Sequence, residues 1–555
     1  MGRGLIGRSD PALGALRTAL GEPAIRQLMV AWFAANAGQW ALLVINLVVA
    51  YQLGGAVGVG AFGLARYLLP TILAPFVGLP VARWPTETVL RGTNVIRTVA
   101  VIGLVAVAMV EAPLWLMLLL VAVEASAGGF TRPLHMGLLP GVARTPEQLI
   151  GANVTSGAAE GLGTFVGPAL ASVLLVVAGP VEALIAVIAI DVISVVSVAR
   201  LHVPSVGRSD QPASVRAALA EVPAGVRAVA TIPGLSLIIG TLSLQTFVRG
   251  LLTVLIVVAS IELLGLGEAG VGTLNALIGL GGLFGSVAAI TLAGRDRLGP
   301  PFALALASWG APIAVVGLLV DPVVAMVAMG AVGVSNAVLD VAGFTLIQRM
   351  TPNAARVAVL GIVDSAANGG PAIGGLIAPL LIAALGIKGA LIVAGAVLPV
   401  AAILTWRRLR RLDEGGPAAA RRVELLRSQP LFAPLSLATI EHLAGSMEPV
   451  RFEAGAWLMR EGDQGDRYVL IDRGEADVSR FGEGIGRLGP GDGAGEIALV
   501  HDVPRTASIR ASTPIEAFAL ARDDFLEAVT GHPASRDRAN ELVRERLVAD
   551  FERET

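Results

Sequence analysis

Long apolar runs constrain this chain more than any other feature of its sequence. A helix needs about 20 residues, most of them apolar, to cross the roughly 30 Å hydrocarbon core of a bilayer. Twelve runs of about that length follow one another in two sets of six, at about residues 28–50, 57–80, 92–110, 113–132, 148–178 and 181–200, and then at 235–261, 269–293, 301–320, 322–347, 356–385 and 388–406. We therefore predict an all-α polytopic membrane domain of twelve transmembrane helices.

The composition excludes several classes of protein. Charged residues make up 15% of the chain, hydrophobic residues 54%, and the mean hydropathy is +0.74. Soluble domains carry about 25% charged residues, so the chain is neither disordered nor a purely soluble protein. A formal net charge of −2 provides no basic field for nucleic acid. Without cysteine there is no disulfide framework or thiolate metal site, the histidines lack metal-ligand spacing, and no nucleophile motif stands out, so we expect no enzyme.

Arginines are unevenly distributed among the loops between the runs. Alternate loops carry almost all of them, at Arg83, Arg91, Arg132, Arg144, from Arg200 to Arg227, at Arg295, Arg297, Arg349 and Arg356, and from Arg407 to Arg411. The other loops carry Glu111, Glu182, Glu262, Glu268 and Asp321, with Lys388 as their cation. Since arginine-rich loops stay in the cytoplasm, we predict that both termini and the central loop are cytoplasmic. The first 27 residues lack a signal-peptide cleavage pattern, so no cleaved signal peptide is expected.

The two sets of runs resemble each other. Gly163, Gly167 and Pro168 in the fifth run are matched, 211 residues further on, by Gly374, Ala378 and Pro379 in the eleventh. Phe130 and Thr131 in the fourth run are likewise matched by Phe344 and Thr345 in the tenth. We therefore predict a 6+6 pseudo-repeat, a pattern typical of transporters.

A soluble domain follows the last apolar run. Beyond Arg411 the charge rises, residues 418–447 have a helical pattern with Ser436 as a helix cap, and from Val450 to Leu520 short alternating runs are separated by glycines. We predict an α+β domain with a β-roll, closed by helices at 522–530 and 535–551. The predicted domains are an N-terminal segment 1–27, a first six-helix bundle 28–200, a central loop 201–234, a second bundle 235–406, a linker 407–428 and the soluble domain 429–555.

One segment of the soluble domain carries a specific motif. Residues 491–510 read GDGAGEIALVHDVPRTASIR, which resembles the phosphate-binding cassette of cyclic nucleotide-binding domains. The preceding glycines, from Gly455 to Gly474, are similar in order to those of that family's β-roll. The resemblance implies that Glu496 binds the ribose 2′-hydroxyl, that Thr506 and the backbone of Ala507 lie on the phosphate or purine side, and that a residue between Arg536 and Leu547 caps the purine.

The chemistry of this segment also fits an anion. A short helix beginning after Gly495 would direct the N–H groups of Glu496, Ile497 and Ala498 at a phosphate. Arg505 would add a charge-assisted pair of hydrogen bonds. The expected ligand is cAMP or cGMP, since Thr506 is compatible with either, and no metal is expected. The alternative is that Glu496 and Arg505 pair only with each other.

The membrane part resembles a second family. Its layout of twelve runs around a long central loop is similar to that of the Major Facilitator Superfamily, and residues 130–171 resemble its bacterial drug- and siderophore-exporter branch. Gly163, Gly167 and Pro168 are similar to that superfamily's antiporter motif, although such glycines are also common where helices pack. The resemblance implies a secondary transporter of small molecules in a bacterial inner membrane.

Ionisable groups inside a bilayer are functional candidates because their burial is costly. The candidates for transport or coupling, with one neighbouring amide, are Glu124, Glu160, Asp191, Gln245, Arg249, Asp340 and Asp364. Glu124 and Glu160 are the first candidates for proton coupling or for recognition of a cation, and Arg66 for a gate or a snorkelling residue. Structural pairing, for example of Arg249 with Asp340, is the alternative role.

Together these features predict a proton-coupled exporter of a small amphiphilic molecule that is regulated by cAMP or cGMP. The expected partners are membrane lipid, a small-molecule substrate and the cyclic nucleotide, with no nucleic acid; the sequence leaves the oligomeric state open. Two alternatives remain: a membrane-anchored cyclic nucleotide receptor without transport, and a transporter of lipid or lysophospholipid.

Overall fold

The computed structural model describes residues 18, 20–73, 80, 83–110, 112–143, 145–199, 223, 225–292, 297–351, 353–412, 416–435, 437–530 and 541. The chain forms two compact units that divide between Arg410 and Arg411. Three of the predicted features lie outside the described residues. They are Ser436, most of the central loop, and the purine-capping candidates between Arg536 and Leu547 apart from Glu541.

The first unit is helical. Its helices are α1 (Pro23–Leu73), α2 (Thr86–Met109), α3 (Leu114–Val142), α4 (Pro146–Val177), α5 (Pro180–Ala199), α6 (Leu235–Val258), α7 (Gly267–Ile290), α8 (Gly299–Leu319), α9 (Pro322–Met350) and α10 (Asn353–Leu412), with a π-helical turn, Ala259–Leu263, after α6. Among the described residues, ten helices are long and apolar enough to cross a membrane. The first unit is therefore a multi-pass membrane domain, as its composition indicates.

Two of these helices are much longer than one crossing requires. Helix α1 has 51 residues, with non-helical backbone at Gly54 and Gly55, and α10 has 60 residues, with non-helical backbone at Gly386. The first two predicted runs lie on α1 as far as Leu73, and the last two lie on α10. The described residues therefore form ten long helices where the sequence predicted twelve. The chain bends at a glycine with positive φ, at Gly55 and Gly386, instead of leaving the helix for a polar loop.

Glycines allow the helices of the first unit to approach closely. A Cβ atom on Gly163 of α4 would lie 2.7 Å from Asn36 Cβ of α1, and one on Gly374 of α10 would lie 2.9 Å from the backbone nitrogen of Leu251 of α6. Because only hydrogen fits at these crossings, each glycine sets the distance between two backbones.

We expect Gly163→Ala to destabilise the membrane domain by about 1–3 kcal/mol, since the added methyl group overlaps α1. Gly157→Ala, six residues earlier on α4, is the matched control, because no atom lies within 4 Å of a Cβ there. It should be neutral or slightly stabilising. Thermal unfolding of both variants in detergent tests this difference, and equal midpoints would contradict it.

The second unit combines helices with two sheets. Helices α11 (Gly416–Ser428) and α12 (Leu437–Ser446) precede β1 (Glu448–Phe452), β2 (Trp457–Met459), β3 (Arg467–Arg473), β4 (Ala476–Arg480), β5 (Glu483–Leu488), β6 (Gly493–Ala494), α13 (Glu496–His501), β7 (Ser508–Ala511), β8 (Ile515–Ala521) and α14 (Arg522–Thr530). The strand orders are β1-β8-β3-β6 and β2-β7-β4-β5, and all pairs are antiparallel. The prediction of a helical part followed by a β-sheet domain is confirmed.

Two apolar cores hold the second unit together. One, which includes Val469, Ala494 and Ile509, is formed by residues of both sheets. The other joins the helices to the sheet β1-β8-β3-β6, where the rings of Tyr468 and Phe525 stack with centroids 5.1 Å apart. The segment between β6 and β7 is therefore held at both ends, because each of these strands packs in an apolar core.

Candidate functional site

The first candidate site begins at a glycine turn between β6 and α13. Gly495 has φ = 104° and precedes Glu496, the first residue of α13. A Cβ atom on Gly495 would collide with the guanidinium of Arg505 and would lie 2.9 Å from the Arg467 carbonyl oxygen. Glycine is therefore needed both for its conformation and for the close approach of Arg505.

Arg505 is the buried cation of this site. Its side chain is 5% exposed, Nη1 donates to the Gly495 carbonyl (3.1 Å) and Nη2 to the Arg467 carbonyl (2.7 Å). Nη2 also lies 3.4 Å from Asp466 Oδ1. Burial lowers the pKa of Arg505, and the Asp466 carboxylate opposes that shift. These bonds hold the guanidinium beside the turn that begins α13.

Glu496 lies next to this cation. It is 2% exposed, and its carboxylate acts on Arg505 electrostatically. Ala498 is buried, whereas Ile497, Thr506 and Ala507 are half-buried. The structure thus brings the two predicted charged residues together, while the Arg505 hydrogen bonds named above go to the carbonyls of Gly495 and of Arg467 in β3. A site of this kind can hold an anion beside a hydroxyl-bearing group, since it offers one fixed cation and one carboxylate.

Sequence reasoning missed the contribution of the segment before β3. Asp466 accepts two hydrogen bonds from Arg467, at 2.9 and 2.6 Å, and these lower the pKa of Asp466. Arg522 of α14 donates to the Gly465 carbonyl (3.2 Å) and to Asp502 (2.5 Å). The signal in the sequence is Gly465-Asp466, which lies within the run of glycines that resembles the β-roll of cyclic nucleotide-binding domains.

The second candidate site is a group of four charges inside the first unit. Arg97 of α2 donates to Glu124 of α3 through Nε at 3.2 Å, and its Nη2 lies 3.8 Å from Asp191 Oδ1 on α5. Arg66 of α1 lies 3.9 Å from Glu124. Their exposures are 2% for Arg97, 1% for Glu124, 3% for Asp191 and 9% for Arg66. Arg66, expected as a gate or snorkelling residue, is instead buried, and the four groups balance in charge.

Two other groups of candidates lie apart from this cluster. Arg132 of α3 is 3.5 Å from Glu160 of α4 and also acts electrostatically on Asp364 of α10. Glu160 is 31% exposed and Arg132 is 67% exposed, so this group is accessible. Arg132 therefore interacts with one carboxylate from each of the two predicted bundles, Glu160 from the first and Asp364 from the second.

The remaining candidates surround Asn336 of α9. Its Oδ1 accepts from Gln245 of α6 (3.3 Å) and from Trp309 of α8 (3.1 Å), and its Nδ2 donates to Asp340 (2.8 Å). Arg249 acts electrostatically on Asp340. Structural pairing of Arg249 with Asp340 and a role of either residue in transport both stay predictions.

Sequence reasoning missed Arg97, Asn336 and Trp309 in the membrane domain. Arg97 could have been found, because it is an arginine within a predicted transmembrane run; Asn336 and Trp309 carry no signal in sequence beyond polarity. Among the described residues, no group of three histidine, cysteine or acidic side chains could hold a metal ion.

Comparison with known families separates two parts of the chain. Residues 449–532 match the family described as "Cyclic nucleotide-binding domain", and residues 296–447 match the "Major Facilitator Superfamily". The chain contains a domain of each kind. The cassette with Glu496 and Arg505 thus belongs to a cyclic nucleotide-binding domain.

The cyclic nucleotide-binding domain is similar to two fungal proteins. A cAMP-dependent protein kinase regulatory subunit of Eremothecium gossypii is 40% identical over 103 residues, which is 18% of this chain and 22% of that protein. One of Emericella nidulans is 33% identical over 124 residues, which is 22% of this chain and 30% of that protein. The chain thus spans less than a third of either relative.

The Major Facilitator Superfamily domain has a similar solved structure. A mutant of the nucleoside transporter NupG superposes with a TM-score of 0.58 at 13% identity, over 69% of this chain and 99% of that one. This identity supports the fold alone. The membrane domain therefore has a transporter-like fold.

Proposed function

We propose that this protein is a secondary transporter whose conformational cycle is regulated by cAMP or cGMP. The observation that carries the proposal is the buried Arg505 beside Glu496, in a cyclic nucleotide-binding cassette joined to a transporter-like domain. In the bound state the cyclic phosphate would accept from Arg505 in place of Asp466, and Glu496 would accept from the ribose 2′-hydroxyl.

Titration of cAMP and of cGMP into the purified full chain tests the ligand directly. Saturable binding of either nucleotide supports the proposal and identifies the base. Absence of saturable binding by both would overturn the regulatory part of the proposal.

Twelve crossings in two six-helix halves fit the membrane domain best. The interruptions at Gly54–Gly55 and at Gly386 would each separate two crossings, because 51 and 60 helical residues exceed twice the length that one crossing needs. The close contacts of Gly163 with Asn36 and of Gly374 with Phe247 also support a 6+6 repeat, since the positions contacted are themselves 211 residues apart.

The two proposed halves make side-chain contacts beside the arginine-poor loops. Tyr51 donates to Glu262, Gln52 donates to Glu268 at 2.5 Å, and the hydroxyls of Ser172 and Thr273 lie 2.9 Å apart. With the arginine-rich loops and both termini in the cytoplasm, these contacts would close the outer end of the transporter. We therefore propose that the structure represents the state closed to the outside.

The natural absence of cysteine makes this state testable. We expect the double variant Ser172→Cys/Thr273→Cys to form a disulfide in the resting protein, because the two replaced oxygens are in contact. Ser172→Cys/Ser286→Cys is a control pair on the same two helices, since Ser286 lies more than three turns beyond Thr273. Efficient cross-linking of the control, or none of the test pair, would contradict the closed outer end.

Proton antiport with export remains the mode of coupling that we propose. Glu160 suits the role better than Glu124, because it is partly exposed and shares Arg132 with Asp364 of the opposite half. If Glu160 or Asp364 takes up a proton and becomes neutral, Arg132 pairs with the other carboxylate. This change of partner would couple protonation to the movement of the two six-helix halves. Ionisation of the thiols makes the cross-linking rate rise with pH in any variant, so the rates with Glu160 and with Glu160→Gln are compared at each pH. A ratio of the two rates that changes with pH would support this role, and a constant ratio would oppose it.

A further inference from the structure

An exposed group of aromatic and arginine side chains lies on the β2-β7-β4-β5 sheet of the cyclic nucleotide-binding domain. We call it the aromatic–arginine patch and define it by five residues, Trp457, Arg460, Arg480, Phe481 and Arg510. It adjoins the cassette, since the backbone N–H of Glu461, next to Arg460, donates to Ser508 Oγ at 2.9 Å. None of the nucleotide contacts proposed above involves the patch.

Phe481 has an unusual position for an aromatic residue. It lies at the tip of the β4–β5 hairpin, is 78% exposed, and has φ = 50°. Hairpin turns with positive φ favour asparagine, aspartate or glycine, and a bulky residue there is strained. Its N–H donates to the Glu461 carboxylate at 2.8 Å, which helps to fix the tip. A strained, fixed and exposed phenyl ring indicates a surface that contacts something apolar.

Trp457 presents a second ring on the same sheet. It lies on the edge strand β2, is 40% exposed, and has the guanidinium groups of Arg460 and Arg510 at 5.5 and 5.3 Å from its centroid. Arg480 lies 5.3 Å from the centre of the Phe481 ring. Each ring is therefore accompanied by cations.

We propose that the aromatic–arginine patch binds the anionic lipid surface of the membrane that holds the transporter domain. Aromatic rings favour the interface between headgroups and hydrocarbon, and arginines near it are attracted by anionic headgroups. The acidic neighbours offset this charge only in part. Asp477 pairs with Arg487 at 2.9 Å, and the three arginines of the patch outnumber Glu461 and Glu483, the two carboxylates beside Phe481.

A single-cysteine reporter tests this in the full chain. Glu483→Cys, beside the Phe481 tip, carries a polarity-sensitive fluorophore, and Glu475→Cys, at the other end of the hairpin, is the matched control with the same change in charge. Both are reconstituted in nanodiscs of phosphatidylcholine alone, or of phosphatidylcholine and phosphatidylglycerol in a three-to-one ratio. We expect a blue shift at Glu483→Cys only with phosphatidylglycerol, weakened by high salt.

Two further substitutions test the side chains. The fluorophore at Glu483→Cys gives the ratio of membrane-bound to unbound cyclic nucleotide-binding domain. In this background, Arg460→Gln should lower that ratio about five-fold, and Phe481→Ser should lower it as well. Arg451→Gln on the other sheet is the control and should leave the ratio unchanged. Retained cyclic-nucleotide binding shows that each variant is folded.

Three outcomes would overturn the proposal. They are equal shifts at Glu483→Cys and Glu475→Cys, equal shifts with and without phosphatidylglycerol, and a shift at Glu483→Cys that persists in detergent without lipid. The last would show that the surroundings of the fluorophore do not depend on anionic lipid. All three are independent of whether the membrane domain transports a substrate.

Discussion

Arg505→Ala is expected to weaken cyclic-nucleotide binding by about 100-fold or more. The variant loses a charge-assisted pair of hydrogen bonds to the phosphate, which are worth about 1.5–3 kcal/mol each. It also removes the cation that lies beside the carboxylates of Glu496 and Asp466. Both carboxylates would then repel the bound phosphate. Calorimetric titration of the full chain with the nucleotide that binds the unmodified protein measures the effect.

Two companion variants make this result specific. Arg510→Ala removes an exposed arginine five residues further along the chain and should leave affinity within about three-fold. Arg505→Lys should recover only a small part of the loss, because an ammonium cannot form the paired bonds of a guanidinium. Equal affinity of Arg505→Ala and the unmodified chain would mean that the phosphate is not bound at this cassette.

Glu124→Gln is expected to destabilise the membrane domain by about 3–5 kcal/mol. The substitution removes the carboxylate that accepts from Arg97 and lies beside Arg66. Of the carboxylates that the structure describes in this cluster, Asp191 then remains to balance two buried cations. Breaking a buried ion pair from one side has this cost because the remaining charge stays desolvated. Unfolding in detergent, followed by circular dichroism, should show a lower midpoint.

The structure provides a matched control for Glu124. Glu160→Gln removes a carboxylate of the same kind, but its partner Arg132 is 67% exposed, so the expected change is below about 1 kcal/mol. Adding Arg97→Gln to Glu124→Gln should recover part of the lost stability, since it restores the balance of charge. Similar midpoints for Glu124→Gln and Glu160→Gln would contradict a stabilising role of the buried cluster.

The candidate nucleotide site could be predicted closely because its chemistry is local in sequence. Gly495, Glu496 and Arg505 fall within one stretch of 20 residues, and the glycine must adopt positive φ for the arginine to reach its place. Asp466 was assigned no role because it reaches Arg505 from the segment before β3, 39 residues away. Such a contact depends on the register of the sheet, which no short motif specifies.

The membrane helices could be predicted from hydropathy, but their side-chain partners could not. Hydropathy locates Arg97, Glu124 and Asp191 in three different runs and gives no information on which helices pack together. Gly54 and Gly386 show a related limit. A glycine that interrupts a helix without a polar loop joins two runs into one element, as at Gly54 and Gly55.

The central claim, that nucleotide binding in the soluble domain changes the state of the membrane domain, can be tested without knowing the transported substrate. The measurement is the rate of disulfide formation in Ser172→Cys/Thr273→Cys, with and without saturating cyclic nucleotide, in nanodiscs. Allosteric coupling typically shifts affinities 5- to 150-fold, so we predict a several-fold change in rate that Arg505→Ala abolishes. An unchanged rate with the nucleotide bound would contradict the account and would leave a nucleotide-binding domain with no influence on its transporter.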